Sequence, residues 1–142
     1  MMDSLSTLEK GSIKFVEDLA KELPVEHNFS DGVYTRTIFM PAGMLVVGKQ
    51  HKTTHLNTLI QGSCDVMING EIRHFKAPCT FESLAGSQKT LYIYEDCLWM
   101  TIHTNEDNER DIEILEKRYV ENEDTPQTLL WKNIIKTLEV KQ

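Results

Sequence analysis

The dipeptide Asn69-Gly70 stands between two alternating runs, residues 64–68 (Cys-Asp-Val-Met-Ile) and 71–75 (Glu-Ile-Arg-His-Phe), and constrains this chain more than any other feature. Both residues tolerate the positive φ that a type I′ turn demands, so the two runs are predicted to close into an antiparallel hairpin. Similar punctuation recurs at Pro41-Ala42-Gly43, Gly48, Gln61-Gly62, Ala77-Pro78, Ala85-Gly86 and Glu95-Asp96. Short alternating segments with a turn signal roughly every eight to twelve residues are the pattern of an all-β sandwich or barrel. Outside residues 33–103 the texture is helical. Ile13, Val16, Ala20 and Leu23 fall at helical spacing ahead of Pro24, predicting a helix from Ser12 to Leu23. After His103, Thr104 and Asp107 have capping-box spacing before Ile112, Leu115 and Tyr119. Thr125-Pro126 has the form of an N-cap followed by proline at the first helical position, leading into an apolar stripe of Trp131, Ile134, Ile135 and Leu138. Three regions follow: an N-terminal helical arm (1–32), a barrel (33–103) and a C-terminal extension of two helices (104–142).

The 142 residues are enough for one domain with a sizeable core. No apolar run reaches the roughly 20 residues a membrane helix needs, and the N-terminus lacks the basic-then-apolar order of a signal peptide, so the expected setting is the cytoplasm, away from membranes. A net charge of −7 argues against a broad nucleic-acid surface. The acidity is local, however: residues 105–124 hold nine acids and three bases, whereas 33–103 hold five acids and six bases. A central pocket is free to attract an anion. Cys64, Cys79 and Cys97 are an odd number with no CxxC spacing and are expected to be reduced, packed thiols.

Period-two alternation assigns faces in the predicted strands. Leu45, Val47, Lys49 and His51 share one face of a strand over 44–51; after a turn at Lys52-Thr53-Thr54, His55, Asn57 and Leu59 share one face of the next. Residues four apart in an uninterrupted strand lie about 13 Å from each other, so only the turn lets His51 and His55 converge. A second polar row, Trp99, Thr101 and His103, alternates with Leu98, Met100 and Ile102.

The segment from Gly43 to Gly62, with its histidine-bearing hairpin between glycines, resembles the first motif of the cupins, His-x-His, then Glu, then Gly seven residues on. On that match His55 stands in the glutamate position, His51 in that of the second histidine, and Lys49 replaces the first. The second motif is echoed by Gly70, Pro78 and Gly86, with Lys89 where a histidine would bind metal. The stretch from Ala85-Gly86 through Tyr92, Glu95-Asp96, Trp99, Thr101 and His103 looks more specifically like the small single-domain cupins of tailed bacteriophages. The resemblance implies a mostly β fold, the antiparallel jelly-roll barrel or double-stranded β-helix, and a homo-oligomer, with a dimer favoured. It brings no reaction with it.

Lysine at 49 and 89 alters the chemistry of such a site. An ammonium has three donors and no acceptor, and it adds positive charge where a cation would sit. The expectation is a site without catalytic residues or cofactor, in which Lys49, His51, His55, Asn57 and Lys89 bind a small anionic or nucleotide-like ligand while Tyr92, Trp99 and His103 line the cavity. The first alternative is an enzyme using a divalent transition metal held by His51, His55 and His103. The second is a phage structural or assembly protein whose terminal helices make the contacts.

Overall fold

The computed structural model describes residues 13–15 and 23–140. In chain order it comprises β1 (Ile13–Phe15), β2 (Val25–Ser30), β3 (Gly32–Met40), β4 (Leu45–Val47), β5 (His55–Ile68), β6 (Glu71–Lys76), β7 (Cys79–Ser83) and β8 (Lys89–Asn105). Two helices follow, α1 (Ile112–Tyr119) and α2 (Pro126–Val140). The strands form one hydrogen-bonded network folded into two walls. The first wall is β1, β4, the first half of β8, the second half of β5 and β6. The second is β2, β3, the second half of β8, the first half of β5 and β7. Every pairing is antiparallel except that of β1 with β4.

The long strands β5 and β8 thus run through both walls. Their register breaks between Leu59 and Cys64, where the chain turns from one wall to the other. Gly62 makes that corner possible: its φ is +93°, and a Cβ there would lie 2.3 Å from the Asp96 carbonyl oxygen. No other residue fits. Inside the corner Leu59, Cys64, Val66, Ile93 and Cys97 are wholly buried, with Phe75 stacked on Phe81 at 4.5 Å between ring centres. Each fully buried aliphatic side chain in this wedge contributes about 1.5–3 kcal/mol. The three cysteines are reduced and unbridged, as the odd number and spacing suggest.

The Asn69-Gly70 hairpin forms as predicted, with φ of 51° and 79°. The barrel extends past 33–103 at both ends, because β2 pairs with β3 and β8 continues to Asn105. Three local expectations need correction. Ile13–Phe15 begins the predicted N-terminal helix but is a strand, drawn against the free edge of β4; residues 16–22 lie outside the described residues. The regular strand expected over 44–51 ends at Val47, and His51 keeps only an isolated bridge to Val120. Thr104 caps nothing, being paired with Val33 in β8; α1 starts later, where the Asp111 side chain accepts the Glu113 N–H at 3.0 Å. A strand partner already at hand outcompetes a local cap.

The second C-terminal helix starts as its sequence suggests, with Thr125 Oγ1 accepting the Thr128 N–H ahead of Pro126. Its apolar face lies on this chain's own barrel: Trp131 is buried, with Ile134 beside it, against Leu45 and Val47 on the outside of the first wall. Among the described residues no helix is long and apolar enough to cross a membrane.

Candidate functional site

Lys89 and His103, which lie near opposite ends of β8, both line one cavity of about 350 Å³. Its apolar lining includes Ile38, Met40, Val46, Leu91 and Trp99; its polar lining includes Arg36, Lys49, His51, Lys89, Thr101 and His103. Helix α1 forms a roof with Leu115, Glu116 and Tyr119. The roof is tied down by backbone hydrogen bonds, from the Lys52 N–H to the Tyr119 carbonyl and from the Glu121 N–H to the Gln50 carbonyl, each 2.8 Å.

Lys89 is only 7% exposed. Burial alone pulls its ammonium down to about 8, with no charged neighbour contributing. Its backbone is fixed on both sides, by the ladder with Ile68 and by the Gly48 N–H, which donates to the Lys89 carbonyl at 2.8 Å. A Cβ on residue 48 would sit 2.9 Å from that oxygen, so Gly48 lets the two segments close. Lys49, next in sequence, also faces the cavity, half-buried. Arg36 joins them because β3 alternates: Tyr34, Arg36, Ile38 and Met40 all point inward. The charged lining is three cations and one acid, Glu116.

The imidazoles of His51, His55 and His103 pack together, with ring centres 4.2 Å (51–55), 5.3 Å (55–103) and 5.9 Å (51–103) apart. His55 does not touch the cavity itself but lies behind the other two. Its Nδ1 faces the Thr53 carbonyl at 2.9 Å, so that nitrogen carries the proton and Nε2 keeps its lone pair. His55 Nε2, His51 Nδ1 and His103 Nδ1 are all buried without a hydrogen-bond partner. Burial, reinforced by neighbouring positive charge, holds His51 down at about 2 and His103 at about 3, so both are neutral at pH 7. His103 lies face to face with Tyr119 at 4.1 Å, and Tyr119 donates to the Thr104 carbonyl. Tyr34, whose hydroxyl contacts His27 Nδ1 at 2.6 Å, is pushed up to about 12, chiefly by burial.

Most residues singled out in the sequence come together here, with qualifications. Asn57 lines the cavity but its amide is engaged: Nδ2 donates to Ser83 Oγ at 2.8 Å and Oδ1 accepts from the Trp99 indole at 3.2 Å. Trp99 is therefore a fixed wall, edge-on to Phe81. Tyr92 does not line the cavity. Odd-even alternation along β8 turns it outward, onto the Leu45, Val47 and Trp131 cluster. Arg36, Tyr34 and Tyr119 were missed; the inward period of β3 and the Leu115–Tyr119 spacing of α1 were the available signals.

A transition metal is the ligand the motif positions would suggest, and the residues present do not fit one. Lys49 and Lys89 occupy two of those positions and bring ammonium groups to the same space. Among the described residues no three His, Cys, Asp or Glu side chains are arranged to hold a metal ion.

No protein-family model matches the chain, and no curated protein is similar to it in sequence. Solved structures are similar in fold. A cupin 2 conserved barrel protein from Salinispora arenicola superposes with a TM-score of 0.51 at 12% identity, over 61% of this chain and 79% of that one. An RmlC-like cupin with a double-stranded β-helix fold from Methanocaldococcus jannaschii gives 0.50 at 11% identity, over 59% and 81%. The DMSP lyase DddQ from Ruegeria pomeroyi gives 0.52 at 14% identity, over 66% of this chain and 52% of the lyase. The fold is the cupin double-stranded β-helix, a mostly β antiparallel jelly roll with two C-terminal helices.

Proposed function

We propose that the cavity is a binding site for a small anion, a carboxylate or phosphate ester of metabolite size, held without hydrolytic or redox chemistry. One observation carries this reading: Lys89 is a buried cation lining the cavity whose ammonium finds no hydrogen-bond acceptor or ion-pair partner among the described residues. Burying an uncompensated charge is costly, and an incoming carboxylate or phosphate removes that cost while Arg36 and Lys49 supply further donors. The contrast with the rest of the chain supports it, since a molecule of net −7 gathers three cations around one hollow. The likeness to small phage cupins supports a setting in the host cytoplasm, where such anions are abundant.

Thermal shift with small carboxylates, sugar phosphates and nucleotides tests the reading, because a ligand at 100 times its Kd adds about 2.7 kcal/mol of stability. Arg36→Ala and Lys49→Ala are each expected to weaken binding by about tenfold, equivalent to about 1.4 kcal/mol. If no anion in a broad panel moves the Tm, the reading fails. Metal analysis addresses the enzyme alternative: near-stoichiometric transition metal in purified protein, lost in His51→Ala, would replace the anion site with a metal centre.

A further inference from the structure

Lys89 combines three properties that an ion-pairing lysine does not need. It is held rigidly from both sides of its backbone, it is shielded from bulk water, and it looks onto a cavity large enough for a small organic molecule. A lysine that only neutralises an anion serves best as a charged, flexible group in contact with water. A buried one shares its cavity with neutral imidazoles and apolar side chains, surroundings that favour the uncharged amine. An uncharged amine is a nucleophile, and its natural electrophile is a carbonyl carbon.

Resting on the anion reading above, we propose that the ligand is a small oxo acid, whose carboxylate meets Arg36 and Lys49 while Lys89 captures its carbonyl as a reversible imine. The Nζ lone pair adds to the carbonyl carbon to form a carbinolamine. The C–O bond then breaks as water leaves, taking the former carbonyl oxygen and the two amine protons, and a C=N bond remains. Amine plus carbonyl gives imine plus water, with no oxidant, reductant or metal involved. The direction of the shift at Lys89 supports the step, since with a value of about 8 its free-amine share at neutral pH is on the order of a hundredfold above that of a solvated lysine.

The test uses the full chain with pyruvate and borohydride, which reduces an imine to a stable secondary amine, followed by peptide mapping. The expected result is one reduced pyruvate per chain, on Lys89, with every other lysine labelled at least about tenfold less, consistent with the difference in free amine. Lactate, which has the carboxylate but no carbonyl, is the paired probe in a thermal shift. Equal stabilisation by lactate and pyruvate with no adduct on Lys89 overturns the imine and leaves the anion site standing. An adduct spread evenly over surface lysines also overturns it. If neither acid shifts the Tm and no adduct forms, the imine falls, while the anion reading is decided by the broader panel of carboxylates, sugar phosphates and nucleotides. Lys89→Met should abolish the adduct; should that variant fail to fold, the mapping of the wild-type chain decides alone.

Discussion

The two ends of this barrel are made from the same pair of strands and follow opposite rules. At the corner, β5 and β8 contribute Leu59, Cys64, Ile93 and Cys97, all wholly buried, and the packing there is apolar. At the mouth, the same strands contribute His55, Lys89 and His103, and polar groups are left unsatisfied. Six buried side-chain polar atoms among the described residues have no hydrogen-bond partner: they belong to Thr37, His51, Thr53, His55, Ser87 and His103. All but the Thr37 atom are on the three imidazoles, on the loop between His51 and His55, or on Ser87, whose carbonyl accepts the His51 N–H. An unpaired buried polar atom costs about 1–3 kcal/mol, so the mouth lowers the stability that the corner provides. Strain of this sort concentrates where a fold does something besides fold.

Substitutions can break or sharpen that contrast. The largest effect is expected at the corner, where Ile93→Ala should cost about 3 kcal/mol in a denaturant melt. A wild-type midpoint for that variant would mean that the corner is not the core. At the mouth, His51 and His103 are held neutral in the folded state at values far below 6.5. The unfolded chain takes up protons first as pH falls below 6.5, so stability drops on acidification. At pH 5 each histidine should account for up to about 2 kcal/mol of that loss. His51→Gln and His103→Gln should each flatten the acid limb, and an unchanged slope would show that these rings are already protonated or solvated. Lys89→Met should work the other way, raising stability at pH 7 by roughly 1 to 2 kcal/mol. Since the folded chain gives up the Lys89 proton near 8 and the unfolded chain near 10.5, that advantage should shrink as pH rises between those values. A constant advantage at all pH values would place Lys89 in water. The smallest effect is expected at Gly70, in the exposed hairpin turn outside the cavity lining: Gly70→Ala at φ 79° should cost roughly 1 kcal/mol with ligand response intact.

The same contrast explains what the sequence made legible. The Asn69-Gly70 hairpin and the inward alternation of Cys64 and Val66 depend on local geometry, and both emerge as read. Period two was applied to one strand at a time, which was enough for a wall but not for a cavity between walls. Arg36 escaped notice because its inward direction matters only once β3 is known to lie beside the His103 end of β8. Tyr92 has the aromatic character of a cavity residue but the wrong parity: Leu91 and Ile93 face in, so Tyr92 faces out. The strand at Ile13–Phe15 was hidden for a related reason, since its partner β4 is some thirty residues away in sequence and no local rule anticipates a parallel neighbour. Motif spacing links Lys49, His51 and Lys89, the polar row of β8 adds His103, and all four line one cavity.

Sharing two strands between both walls has a consequence for how the molecule comes apart. Each wall keeps its own ladder, but the middle of each is a half of β5 beside a half of β8, so the loss of either strand removes the centre of both. A single nick within β5 or β8 would dismantle the roofed hollow and the packed wedge together, and whatever settles in the hollow therefore braces the whole molecule.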